Sequence, residues 1–400
     1  MRLFLFLRTL NSWFSLFLLL LFLQFGVGCA SVTGLFKERG AEKEFFMRKV
    51  WVKPTPNIPN NGFRKIQRTE PVLHDGLVIY GNSYFGLLAY DEKRGGLVWK
   101  REIPEGVESS GAVFKDSLYV GGLDGVMRSI AIKTGAINWE FSARAEIVSQ
   151  PTFDSTDGRV FFLAGNNILY ALNAESGTLL WQYNRPETSA FSVRGGGRPA
   201  VVGQQIYMGF SDGSLVCLDT RNGSVLWENQ ISKAKKFQDL DSAPIVDKDL
   251  IVTAGFEGDL IALNRSNGAQ AWKIPLAGLY ADPLADEERY YLASPQGILT
   301  AIRKSDGQKL WDYKGFIGVP SKPALLRGVL LVGDSGGPIQ AVEAATGRKV
   351  GELDTGRGVF SPLAIDPATS MAYFSSREGH AYSAEFGYRF PYWIAHLVNP

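Results

Sequence analysis

The sequence predicts an all-β chain folded as an eight-bladed β-propeller of four-stranded antiparallel blades, its last blade closed by an N-terminal strand. Three observations carry this. Glycines recur at Gly95, Gly135, Gly177, Gly223, Gly268, Gly307 and Gly347, in steps of 40, 42, 46, 45, 39 and 40 residues. A tryptophan stands four residues after each of the first six: Trp99, Trp139, Trp181, Trp227, Trp272 and Trp311. Tight-turn pairs such as Asp124-Gly125, Asp212-Gly213 and Gln296-Gly297 precede most of the glycines by ten or eleven residues. A period of about 40 residues in strand-like sequence marks a propeller, with four strands to a blade.

The first segment is a targeting element and lies outside the fold. Arg2 and Arg8 precede the apolar run Trp13–Phe25, and Gly26-Val27-Gly28-Cys29 follows. Small residues leading to a cysteine resemble a bacterial lipobox, which implies cleavage after residue 28 and acylation of Cys29. A soluble periplasmic product cut nearby and an uncleaved anchor stay open as alternatives, since the apolar stretch approaches spanning length. Residues 29–46 read as a mixed-charge tether. The propeller is expected over 47–388 and an aromatic tail over 389–400.

Within the propeller the first element is a lone strand, Met47–Val52, carrying Trp51. Residues 242–275 show one complete unit. It has the strands APIV, LIVTAGF, DLIALN and AQAWKI, with turns at Asp247-Lys248-Asp249, Glu257-Gly258 and Ser266-Asn267-Gly268. Six residues before each repeat glycine is a small residue: Ala89, Ser129, Ala171, Cys217, Ala262, Ala301 and Ala341. Such a slot suggests close approach of a neighbouring strand or blade. The tryptophans, Trp51 included, are expected to dock between blades as apolar wedges with one polar N–H. The seventh unit has Gly351 where tryptophan is due, and the eighth has Arg389 where glycine is due. The lone strand at Trp51 therefore supplies the fourth strand of the last blade, removing open sheet edges.

Composition narrows the function. The chain has 42 Lys+Arg and 40 Asp+Glu. Without residues 1–28 the balance is even, leaving no basic field for nucleic acid. The two cysteines, Cys29 and Cys217, make no disulfide framework, and Cys217 reads as a buried small residue. The histidines His74, His380 and His396 do not group at metal-ligand spacing. No nucleophile elbow, phosphate loop or zinc-protease motif occurs. No catalytic residue, metal or cofactor is assigned.

The steps ending in the fourth and fifth units are the longest, and their extra length falls in two neighbouring connections, 182–198 and 228–241. Loops on a rigid scaffold are where binding residues concentrate. The first contains Phe191-Ser192-Val193-Arg194-Gly195 and the second Asp239-Leu240-Asp241-Ser242-Ala243-Pro244. Phe191 and Val193 share one side of an extended segment, and Arg194 suits bidentate recognition. Arg194 could equally pair with Asp239 or Asp241 across the two loops.

The unit Leu-x-Ala-Leu-Asn-x-x-x-Gly-x-x-x-Trp, at Leu169–Trp181 and Leu260–Trp272, resembles the repeat of quinoprotein-type propellers. Within that superfamily the chain resembles the BamB lipoproteins of the outer-membrane β-barrel assembly machinery. The two loop segments are similar to "L-S-L-R-G" and "D-V-D-x-x-P" stretches of that family. The resemblance implies a non-catalytic scaffold, lipid-anchored at the periplasmic face of the outer membrane and monomeric within a hetero-complex. It implies contact with the POTRA domains of BamA through Phe191, Val193, Arg194, Asp239 and Asp241. A quinone-dependent dehydrogenase, or a periplasmic propeller binding another envelope partner, is the alternative. The tail Tyr388–Pro400 has no counterpart in the resemblance and either covers a propeller face or contacts a second partner.

Overall fold

The computed structural model describes residues 44–55, 65–154, 156–185, 197–232, 238–240, 242–255, 258–276, 278–279 and 281–389. Residues 47–386 form one compact unit. Eight four-stranded antiparallel sheets follow one another as blades of a propeller. Blades 1 to 7 are continuous, at 72–102, 112–142, 152–184, 200–230, 245–274, 284–313 and 324–353. Blade 8 takes Ala364–Asp366, Met371–Ser375 and Ala381–Arg389 from the end of the chain, and Glu44–Lys53 pairs as its outer strand. That outer strand extends beyond the Met47–Val52 segment read from sequence at both ends. The far ends of these two strands, residues 44–46 and 387–389, fall in a second unit. There the Phe45 and Tyr388 rings meet edge to face at 5.3 Å, and the Arg389 guanidinium lies 5.4 Å over the Phe46 ring.

The register explains the small slot. Ala89 pairs with Trp99, Ser129 with Trp139, Ala171 with Trp181 and Cys217 with Trp227, while Ala262 faces Trp272 and Ala301 faces Trp311. A large side chain there would compete with the indole directly opposite on the same face of the sheet. A β-bulge follows the slot in each continuous blade, as between Cys217 and Leu218, and re-aims the outer strand.

Each indole then reaches the next blade. A Cβ added at Gly135 would stand 2.6 Å from Trp99 Cε3, and Gly177, Gly223 and Gly268 lie equally close beneath Trp139, Trp181 and Trp227. The repeat glycines have φ between 64° and 74°, a conformation costly for residues with a side chain. Trp99 Nε1 donates to the Ile132 carbonyl at 2.8 Å, Trp181 Nε1 to Thr220 at 3.0 Å and Trp227 Nε1 to Arg265 at 2.9 Å. One interaction therefore buries a ring, satisfies its N–H and fixes the turn of the following blade. At Gly307 the place over the glycine is taken by Ile274, and Trp272 lies against Tyr290 with ring centroids 6.5 Å apart.

Ring closure obeys the same rule. Trp51 sits over Gly95 of blade 1 and donates to the Glu92 carbonyl at 3.1 Å. Tyr80 of blade 1 donates to the Tyr382 carbonyl of blade 8 at 2.7 Å, and Tyr373 donates to Glu92 Oε1 at 3.0 Å. The two irregular repeats have one cause. Blade 8 has no turn between its third and fourth strands, because the fourth comes from the other end of the chain. Blade 7 thus has no glycine shelf to dock on, and Gly351 opposite Ala341 carries no ring.

Just beyond the closing strand, the Thr55 N–H donates to His380 Nδ1 at 3.2 Å, and the Thr55 hydroxyl donates to the Gly379 carbonyl. Burial, helped by Arg357, holds His380 below its usual pKa, so it is neutral and able to accept. A histidine depressed in the folded state gains protons on unfolding once the pH falls through about 6.5. Its stabilising contribution is present above that pH and is lost below it. The thermal midpoint should fall between pH 7 and pH 5, and His380→Gln should flatten that part of the profile. An unchanged slope in the variant would show that His380 is not the titrating group.

Candidate protein interface

Alternating strand direction sorts the loops between two faces. Inter-blade connections share one face with the hairpins joining second and third strands; the remaining turns lie on the other. The two long connections of blades 3–4 and 4–5 therefore open on the same face. Phe191, Val193, Arg194 and Asp241 lie outside the described residues. Asp239 is fully buried beside Leu240, which packs into the core of blades 4 and 5 with Tyr207 and Leu215.

The stems of both connections meet on one hairpin of blade 4, Gly209–Ser214. From the first connection, Arg185 exchanges backbone hydrogen bonds with Asn167: its N–H donates to the Asn167 carbonyl at 3.3 Å, and its carbonyl accepts from Asn167 Nδ2 at 3.0 Å. Its guanidinium donates to the Asp212 carboxylate, to Ser214 Oγ at 2.9 Å and to Glu228 Oε1 at 2.7 Å, and lies 5.8 Å over the Phe210 ring. Hydrogen bonding to Glu228, then to Asp212, holds this guanidinium above its usual range against the effect of burial. From the second connection, Ile231 N–H and Ser232 N–H both donate to the Gly213 carbonyl, at 2.9 and 3.0 Å. Gln230 Nε2 donates to the Asp212 carbonyl at 2.7 Å, and Leu240 N–H to the Phe210 carbonyl at 3.3 Å.

Sequence reasoning passed over Arg185 and Glu228 and read Asp212 only as part of the tight turn with Gly213. A signal was present. Four residues after the repeat tryptophan stand Ile103, Ala143, Ile231 and Leu276 in blades 1, 2, 4 and 5 and Gly315 in blade 6, and only blade 3 places a charged residue there, Arg185. The positions are structurally equivalent: the N–H of Ile103, Ala143 and Ile231 each donates to the hairpin of its own blade as Arg185 does.

First strands of neighbouring blades approach one another at the hub. The residues that precede them engage each other through side chains and backbone. Gln150 Nε2 donates to the Gly111 carbonyl at 3.0 Å, Arg198 donates to Gln150 at 3.4 Å, and Asp282 Oδ1 accepts from Ala243 N–H at 2.8 Å. Lys322 of blade 7 reaches past blade 8 to Glu70 of blade 1 at 2.9 Å. Among the described residues no cluster of His, Cys, Asp or Glu could hold a metal ion. Cys217 is buried in blade 4, and burial pushes its thiol up to about 12, leaving it unreactive. The described residues thus offer no carboxylate cluster of the kind a bound calcium ion needs.

Repeat, register and indole docking together define an eight-bladed propeller of the quinoprotein-repeat class. A family model described as outer membrane protein assembly factor BamB matches residues 84–313 and again 246–359. The chain belongs to that family. It is 23% identical over 334 residues to the outer membrane protein assembly factor BamB of Shewanella oneidensis, covering 78% of this chain and 83% of that protein. The crystal structure of BamB from Moraxella catarrhalis superposes with a TM-score of 0.70 at 17% identity, over 85% of this chain and 100% of that one, which supports the fold. A quinone-linked 1-butanol dehydrogenase of Thauera butanivorans is 28% identical over 139 residues, 30% of this chain and 22% of the enzyme.

Proposed function

We propose that this chain is a non-catalytic assembly factor of the outer membrane that works by docking. Cys29, outside the described residues, is acylated and holds the propeller at the periplasmic face of the membrane. The surface formed by the connections of blades 3–4 and 4–5 binds the POTRA domains of BamA, with Phe191, Val193, Arg194 and Asp241 as contacts and Asp239 at the base of the second loop. A rigid ring carrying such a surface holds those domains in an arrangement that favours insertion of client barrels.

The observation that carries this reading is the shared support of the two longest connections. Two neighbouring loops rooted on one hairpin can present a single composite surface, and Arg with aromatic anchors suits the centre of such a patch. Arg194→Ala and Asp241→Ala are each expected to lower co-purification with BamA about tenfold or more, with the thermal midpoint unchanged. Wild-type yield in both variants and in their combination would remove these residues from the interface. Labelled palmitate should enter the wild-type chain and not Cys29→Ser.

A further inference from the structure

Blade 2 shows how this repeat pairs a hairpin acid within one blade. Asp124 and Glu140 are both bound by Arg128 of the same blade, at 2.6 and 2.8 Å. Blade 4 keeps both acids at the equivalent positions, Asp212 and Glu228, and has Val216 where Arg128 would stand. Val216 is fully buried among apolar residues of blades 3 and 4. The arginine comes instead from blade 3, as Arg185. An intra-blade pairing has become a link between blades, placed where one long connection departs and anchored on the hairpin that carries the other.

We infer that Arg185 is a positioning residue for the docking surface, tying the stem of the blade 3–4 connection to the hairpin that supports the blade 4–5 connection. This rests on the proposed surface and adds to it the residue that fixes the two loops relative to each other. The guanidinium fork meets two carboxylates and a hydroxyl with only 15% of the side chain exposed, an arrangement that fixes its direction as well as neutralising its charge. Lysine cannot reproduce three such contacts.

The test uses Arg185→Leu, which installs the apolar residue type that blades 1, 2, 4 and 5 carry there. Binding to a purified POTRA fragment of the cognate BamA is measured by titration, alongside thermal unfolding. Arg185→Leu should fold and weaken binding about tenfold, with Arg185→Lys between it and wild type. In an Arg194→Ala background it should weaken binding less than twofold further, because both changes act through one loop. Should Arg185→Leu fail to fold, Asp212→Asn serves as the second variant with the same expectations. Wild-type binding by Arg185→Leu where Arg194→Ala weakens it, or losses that multiply in the double variant, would overturn the positioning role and leave the surface standing. Full binding by Arg194→Ala and Asp241→Ala would instead overturn the surface, and the inference with it.

Discussion

Trp51→Ala should destabilise the propeller by about 3–5 kcal/mol, the range for truncating a buried aromatic to alanine. Trp51 is 9% exposed and packs against Tyr80, Tyr90 and Tyr373, with ring centroids about 6 Å away. Alanine loses the ring's buried area, leaves the Glu92 carbonyl without its indole donor and uncovers Gly95. The strand it belongs to also closes the ring, so the loss falls where only sheet pairing and side-chain packing hold the blade together. Urea unfolding should show the loss as a lower midpoint. Trp139→Ala, on a less buried ring inside the continuous chain, should cost less. Equal midpoints for the two variants would mean that the closing strand is not a special point of the structure.

Gly135→Ala should cost about 2–4 kcal/mol. About 1–2 kcal/mol comes from placing a side chain at a left-handed conformation, here φ 68°. The rest comes from displacing Trp99, whose Cε3 would lie 2.6 Å from the new methyl group. Gly76 supplies the control. Its φ is 77°, but nothing lies within 4 Å of the added Cβ. Gly76→Ala therefore carries the backbone cost alone. The difference between the two unfolding free energies isolates the ring-on-glycine contact. Equal losses would show that this contact contributes nothing to stability.

Much of this architecture was legible because it repeats. Glycine and tryptophan recur in register, and each repetition strengthens the inference that the pair serves packing. Reading Trp51 as part of the last blade required only the observation that blade 8 lacked a fourth strand. The physical link was harder to see. Sequence spacing places tryptophan and glycine in one unit, yet the contact runs from the tryptophan of one blade to the glycine of the next. The missing ring at Gly351 and the missing glycine at Arg389 looked like separate departures for that reason. Candidate interface loops were legible as excess length. Arg185 was not, because a repeat is recognised from the positions that match, whereas Arg185 stands where four other blades carry an apolar residue. Asp239 was taken as a partner contact from the resemblance of its loop, whereas its place beside Leu240 puts it in the interior.

The seam in blade 8 bears on how the molecule comes into being. Arg48 Nε bonds Glu385 Oε2 at 2.7 Å across 337 positions of chain. Contacts that distant form late, since a very long loop must close before they give any return. During synthesis the Glu44–Lys53 strand emerges long before the final hairpin and must wait, its edge unsatisfied, until that hairpin arrives. Seven sectors can assemble progressively, but the circle is sealed only by that last event. An unsealed ring exposes a raw edge at either end, which makes chaperoning of the nascent chain most consequential in the interval before the two ends meet.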